Sequence, residues 1–323
     1  MKLVKWLACA AACLAPVAAH AQDAKDYPNK PVRWVVPFTP GASNDIIARL
    51  MGAKLGDAWG QQFIIDNRPG AGGAIGAETV ARANPDGYTL LLANPGPSVN
   101  TPLLLKRAQY KVGDFTPIVF IGYAPLIILT NPAFAPRNPR ELIDYAKANP
   151  GKVNWGSSGN GSSLHIGLAL LQGATGIKVQ HVPYKGSGPA ITDLIAGQIQ
   201  AMHTTTVSAE SQIKAGRVRV VGVASPKRLS LLPDVPTLAE SGIKDAEAIV
   251  WFGMSGPPGL PRAIVDKLNA EVNKALALPD VKQRLDQLGL EVEGGTPQQF
   301  ATFIRNEAAK VSKLIKAGLL QPQ

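Results

Sequence analysis

The apolar pattern along the chain changes period repeatedly. Short apolar runs, several of them β-branched, at 32–38, 63–66, 89–93, 116–121 and 126–130 read as strands. The same signature returns at 153–155, 179–182, 201–204, 218–223 and 248–255. Between these runs the spacing turns helical. Ile46, Ile47, Leu50, Met51 and Leu55 form one stripe that begins at Ser43 or Asn44, either of which can cap a helix. Amphipathic helices are also predicted over 261–278 and 296–314, with a shorter one near 280–288. Such alternation predicts an α/β fold with largely parallel sheets.

One arrangement recurs. Val35-Val36-Pro37-Phe38-Thr39-Pro40-Gly41-Ala42 is a strand running through a proline and glycine turn into the first helix. Residues 153–155, the loop 156–162 and the stripe Leu164, Leu168 and Leu171 repeat it, and a third copy is predicted at 179–182, 183–188 and 190–196. No fixed-period repeat accompanies these copies.

The second copy contains Ser157-Ser158-Gly159-Asn160-Gly161-Ser162-Ser163-Leu164-His165. Gly159 and Gly161 let backbone approach a ligand, and first-turn N–H groups lack intrahelical partners. The helix dipole favours an anion there, and no Asp or Glu occupies the first turn. Two other readings stay open at this stretch. Ser162 can be a simple N-cap beside a turn, or Ser162 or Ser163 can be a nucleophile served by His165. The G-x-S-x-G elbow of the α/β-hydrolases is absent.

Composition narrows the classes. Lys2 and Lys5 precede an apolar run ending in Ala19-His20-Ala21, so residues 1–21 are predicted to be a cleaved signal peptide. Cys9 and Cys13, the two cysteines, both fall within it, which leaves no thiol or disulfide chemistry in the mature chain. An exported, cysteine-free protein points to the periplasm of a Gram-negative bacterium. Removal of Lys2 and Lys5 takes the net charge from +10 to +8. The lysines are spread over C-terminal helices without interleaved aromatics, so nucleic acid is not expected. Arg68-Pro69-Gly70-Ala71-Gly72-Gly73-Ala74-Ile75-Gly76 fails the dinucleotide fingerprint at Ile75 and reads as a tight turn against a helix. His165, His181 and His203 lack metal-ligand spacing, and neither cofactor nor metal is expected.

Several motifs then follow in a specific order. They include Val36-Pro37-Phe38-x-Pro40-Gly41-x-x-x-Asp45-x-x-Ala48-Arg49, Asn67-Arg68-Pro69-Gly70-Ala71-Gly72-Gly73 and Asn84-Pro85-Asp86-Gly87-Tyr88. Ser157-Ser158-Gly159-Asn160-Gly161-Ser162, His181-Val182-Pro183-Tyr184-Lys185-Gly186, Leu232-Pro233-Asp234-Val235-Pro236-Thr237 and Trp251-Phe252-Gly253 continue it. This order resembles the periplasmic solute-binding receptors of tripartite tricarboxylate transporters, the Bug-type proteins, over essentially the whole mature chain.

The resemblance implies two Rossmann-like lobes in a flytrap architecture, with 27–123 plus 246–323 forming the first and 124–245 the second. It implies a monomeric, non-enzymatic receptor that takes a small organic carboxylate, partly through bridging waters, and delivers it to membrane transporter subunits. The expected contacts are the N–H groups of Ala42, Ser43, Gly159 and Gly161, the hydroxyls of Ser43, Ser158 and Ser162, and the Asn160 amide. Phe38 and Trp251 would wall the apolar part, and Asn44 belongs to the first loop. Thr204 and Thr205 would face the far end of the ligand, and 94–98, with Ser98, another edge. Many members have glycine where this chain has Ala42, and acids where it has Ala169 and Thr204, which argues against an amino-acid ligand. A secreted serine hydrolase and a solute sensor for a signalling partner are the alternatives.

Overall fold

The computed structural model describes residues 26–322. The expected signal peptide, with Cys9 and Cys13, lies outside them. In chain order the strands are β1 (Val32–Val36), β2 (Phe63–Asn67), β3 (Thr89–Ala93), β4 (Thr116–Pro125), β5 (Ile127–Thr130) and β6 (Asn154–Ser157). They continue with β7 (Gln180–Pro183), β8 (Ala201–Thr204), β9 (Arg219–Val223), β10 (Ile249–Gly256) and the two-residue β11 (Glu291–Val292). The helices are α1 (Ser43–Trp59), α2 (Ala74–Ala81), α3 (Thr101–Leu104), α4 (Pro139–Ala148) and α5 (Ser163–Thr175). Then come α6 (Ser187–Ile195), α7 (Thr206–Lys214), α8 (Arg262–Leu276), α9 (Pro279–Gln287) and α10 (Pro297–Lys316). Among the described residues no helix is long and apolar enough to cross a membrane.

Two sheets organise these elements into two lobes. The first has the order β11-β4-β10-β3-β1-β2 and the second β7-β6-β8-β5-β9. Both are mixed, which corrects the expectation of largely parallel sheets. The β2-β1-β3 and β7-β6-β8 triplets are parallel, whereas β10 is antiparallel to β3 and β4, and β5 to β8 and β9. The cause is the chain path: β4 leaves the first sheet toward β5 of the second, and β10 runs back beside β4. Where the paths cross, Leu126 N–H donates to Ala248 O, Ala248 N–H to Ala224 O and Ala224 N–H to Leu126 O, at 2.9, 3.0 and 2.8 Å. These three bonds tie the crossing segments together.

Apolar periodicity explains the packing. Ile47, Met51 and Leu55 of α1 are fully buried, and each such side chain contributes about 1.5–3 kcal/mol on leaving water. Trp34 on β1 and Trp155 on β6 occupy corresponding core positions in the two lobes. A separate aromatic cluster joins Phe120 of β4 and Trp251 of β10 to Phe300 and Phe303 of α10. The copied strand-loop-helix units are β1 to α1, β6 to α5 and β7 to α6, the last helix beginning at Ser187, three residues before its predicted start. The 70–76 segment is a turn leading into α2, as its glycines and residue order predict.

Candidate functional site

Four helix N-termini meet in the cleft between the lobes. The cavity is bordered by Ser43 and Asn44 of α1, Ser163 and Leu164 of α5, Ser187 of α6, and Thr205 and Ser208 at the head of α7. Phe38, Asn94, Ser158 and Val250 close the remaining sides. Each helix end offers first-turn N–H groups without intrahelical acceptors, and its dipole adds positive potential. The walls carry hydroxyls and amides but no charged side chain.

The helix ends differ in how those N–H groups are used. The N-cap of α1 is Ala42, which has no side-chain oxygen, so neither Ser43 nor Asn44 caps the helix. Instead, Ser43 N–H donates across the cleft to Ser208 Oγ at 2.9 Å. Ser208 is held by Thr205, whose hydroxyl accepts from Ser208 N–H and donates to its Oγ, both at 3.2 Å. At α5 the cap is internal: Ser162 Oγ accepts from His165 N–H at 3.3 Å. The N–H groups of Ser163 and Leu164 have no protein acceptor among the described residues.

An acid stands in the first turn of α1, but not of α5, α6 or α7. Burial pushes Asp45 upward, yet the Arg49 guanidinium, the Gly41 N–H and the Asn67 amide outweigh it and hold the carboxyl below its ordinary value. Asp45 Oδ2 accepts from Gly41 N–H at 2.9 Å and Arg49 Nε at 3.0 Å. Arg49 thus offsets its charge.

The lobes touch around the cavity. A Cβ added to Gly72 in the first lobe would overlap the Asn160 carbonyl oxygen in the second, and one on Gly161 would lie 3.4 Å from Thr101 Oγ1. Thr206 Oγ1 donates to Leu288 O at 2.6 Å. The cavity left inside is about 20 Å³. A single water needs roughly 10–15 Å³ on this measure, so admitting an organic acid requires the lobes to part.

Of the residues singled out in the sequence, Phe38, Ser43, Asn44, Ser158 and Thr205 come together at the cavity. Ala42 lies buried behind the start of α1. Gly159, Asn160 and Gly161 form the seam against Gly72 and Thr101. Ser162 is the cap of α5, and its hydroxyl faces its own helix. Ser98 is buried in the π-helical segment Gly96–Asn100, outside the cavity walls. Thr204 is fully buried at the end of β8, opposite Ile127. Trp251 belongs to the aromatic cluster, and Val250 forms the wall instead. The last difference is one of parity, since consecutive strand residues face opposite sides.

Ser163, Leu164, Ser187, Ser208 and Val250 are walls that the sequence did not mark as ligand contacts, Ser163 having been read only as a candidate nucleophile. Thr205-Thr206-Val207-Ser208 has the spacing of a hydroxyl cap on a backbone N–H three residues later, a signal that would have found Ser208.

The histidines hold the second-lobe loop. His165 and His181 stack with ring centroids 4.2 Å apart and planes at 4°. Gly161 N–H donates to His165 Nδ1 at 3.2 Å, so that nitrogen carries no proton, and Ser157 Oγ lies 2.7 Å from His181 Nε2. Burial lowers both histidines, and with the charge of His165 it brings His181 down to about 4. Neither Ser162 nor Ser163 bonds the His165 ring, so the nucleophile-base pair of the hydrolase alternative does not form. Among the described residues no group of three or more His, Cys, Asp or Glu is placed to hold a metal ion.

Known proteins share this architecture. The profile of the tripartite tricarboxylate transporter family receptor (TctC) matches residues 47–320. The solved structure of the periplasmic binding protein BugD is 36% identical and superposes with a TM-score of 0.87, covering 91% of this chain and all of its own. Rpa4515 of R. palustris, solved with adipate, is 34% identical with a TM-score of 0.89, over 92% of this chain and 100% of its own. MatC from Rhodopseudomonas palustris, solved with bound malate, is 32% identical with a TM-score of 0.86, over 90% of this chain and 100% of its own. The family and these neighbours are binding proteins and not enzymes. The chain belongs to the receptor family of the tripartite tricarboxylate transporters.

Proposed function

We propose that this receptor captures a small organic carboxylate in the interlobe cavity and delivers it to the membrane subunits of its transporter. The observation that carries the reading is the meeting of four helix N-termini around walls without a charged side chain. Neutral donors favour an anion while avoiding a buried ion pair, which is costly to separate when cargo must be released. The adipate and malate in the neighbouring structures support the same ligand class.

The lobes we assign are 27–123 plus 246–323, and 124–245, in line with sheet membership. The receptor acts as a monomer in the Gram-negative periplasm after loss of residues 1–21, and bridging waters complete the ligand's hydrogen bonds. Phe38, Ser43, Asn44, Ser158 and Thr205 are proposed to contact the ligand, with Ser163, Ser187 and Ser208 added from the cavity walls.

A thermal-shift panel on protein stripped of cargo by unfolding and refolding tests this. Small mono- and dicarboxylates should raise the melting temperature, whereas the corresponding primary amides and amines should not. At 100 times its dissociation constant a ligand adds roughly 2.7 kcal/mol. Equal shifts with acids and their amides would sink the anion reading.

A further inference from the structure

The cavity contains a polar pair unlike its other walls. Asn94, immediately after β3, and Asn44, in the first turn of α1, are 2% and 6% exposed, and both border the cavity. Asn94 Nδ2 donates to Asn44 Oδ1 at 2.6 Å, and Asn94 Oδ1 is buried without a partner. The conclusion survives exchange of oxygen and nitrogen in both amides. One amide donates to the other, so the pair always retains N–H donors and one carbonyl that the internal bond does not use.

From this we propose that Asn94, with Asn44, is a specificity-determining residue that selects carboxylates bearing a hydroxyl on the carbon chain over the unsubstituted acids. The inference rests on the carboxylate reading above. An ionised carboxylate only accepts hydrogen bonds, so against this pair it uses the donor and sets an oxygen lone pair against the acceptor. A hydroxyl accepts from one amide and donates to the other. An unsubstituted acid leaves the carbonyl unpaired, and a buried acceptor left bare weakens binding. The helix N-termini supply donors in excess, so the carboxylate has its own place and the amide pair reads the second polar group.

Calorimetric titration of the refolded protein with matched pairs tests the proposal: 2-hydroxysuccinate against succinate, 2-hydroxypropionate against propionate, and 3-hydroxyadipate against adipate. The hydroxy acid of whichever pair binds should be preferred by roughly tenfold or more, in keeping with sites built to hydrogen-bond a substrate hydroxyl. Asn94→Leu should abolish that preference, leaving the hydroxy acid and the plain acid within about threefold of each other, a ratio well inside one decade of discrimination. Asn44→Leu is the second variant, should Asn94→Leu fail to fold, and Thr302→Ala, on the exposed face of α10, is the control that retains the preference. Equal binding within every pair, or a preference that survives in a folded Asn94 or Asn44 variant, overturns the proposal and leaves the carboxylate reading intact. Binding of neither member of any pair by well-folded protein contradicts the carboxylate reading itself, and the proposal with it.

Discussion

The starts of α1 and α5 face the same cavity from opposite lobes, but they are finished differently. α5 caps itself with Ser162, contains no acid in its first turn and rests on the stacked His165 and His181. α1 has alanine at its cap, an acid offset by Arg49, and an N–H satisfied only by Ser208 of the other lobe. The α5 cap is therefore made within its own lobe, whereas the α1 end is completed by closure. In a two-lobed receptor this couples the anion site to the closed state: a bond made only on closure contributes to affinity without being part of the open form.

Closure should be most sensitive to substitution at the seam. Gly72→Ala should reduce carboxylate affinity by more than about tenfold, because a Cβ there meets the Asn160 carbonyl as the lobes close. The φ of +63° adds a local strain of about 1–3 kcal/mol, which melting of the ligand-free protein measures separately. An unchanged dissociation constant would show that the closed seam does not set affinity.

Acid comes next, and it separates the two helix ends. His165 and His181 are held below their ordinary value, and burial takes His203 down to about 3. Between the unfolded value near 6.5 and the folded values, the unfolded chain binds more protons than the native one, so stability falls as pH drops through this window. Asp45 is depressed below the usual carboxylate value of 3.8, so its stabilisation is present above that value and is lost only as pH falls through its lower folded one. From pH 6.5 to about 4 the second lobe should loosen first. Hydrogen exchange across this range should show faster exchange at Gly161 than at Gly41; the reverse order would contradict the account.

A smaller effect is expected at the start of α1. Ser43→Pro removes the N–H that reaches Ser208, and proline is well tolerated at a first helical position. Affinity should fall by about 1 kcal/mol, the usual net worth of one hydrogen bond, with ligand-free stability nearly unchanged. The smallest effect on binding belongs to Ser162→Ala. It should lower stability by about 1 kcal/mol through loss of a cap and leave affinity nearly unchanged, because its hydroxyl faces His165 N–H. Titration and chemical denaturation of the two variants check both outcomes.

Much of this was legible in the residues. β3 and β8 fall on their predicted bounds, because β-branched and apolar runs there are cut by polar or glycine-rich loops. The proposed anion site at the start of α5 was visible in Gly159, Gly161 and an acid-free first turn. Strand direction was less legible: it depends on β4 and β10 carrying the chain between lobes, which local spacing does not encode. The short β11 has no periodicity to read. Trp251 shows how a correct strand still yields a wrong wall, since one strand position separates the cavity from the aromatic cluster. Ser187 and Ser208 were missed because α6 and α7 begin with hydroxyls and small residues, which read as loop until the helix is seen.

The most direct test is a crystal structure of the refolded protein with a carboxylate that stabilises it. The account predicts that the carboxylate oxygens lie within hydrogen-bond reach of first-turn N–H groups from both lobes, at Asn44 and at Ser163 or Leu164, with no lysine or arginine side chain paired to them. A carboxylate bound by a cationic side chain, or seated outside the cleft between α1 and α5, would contradict it.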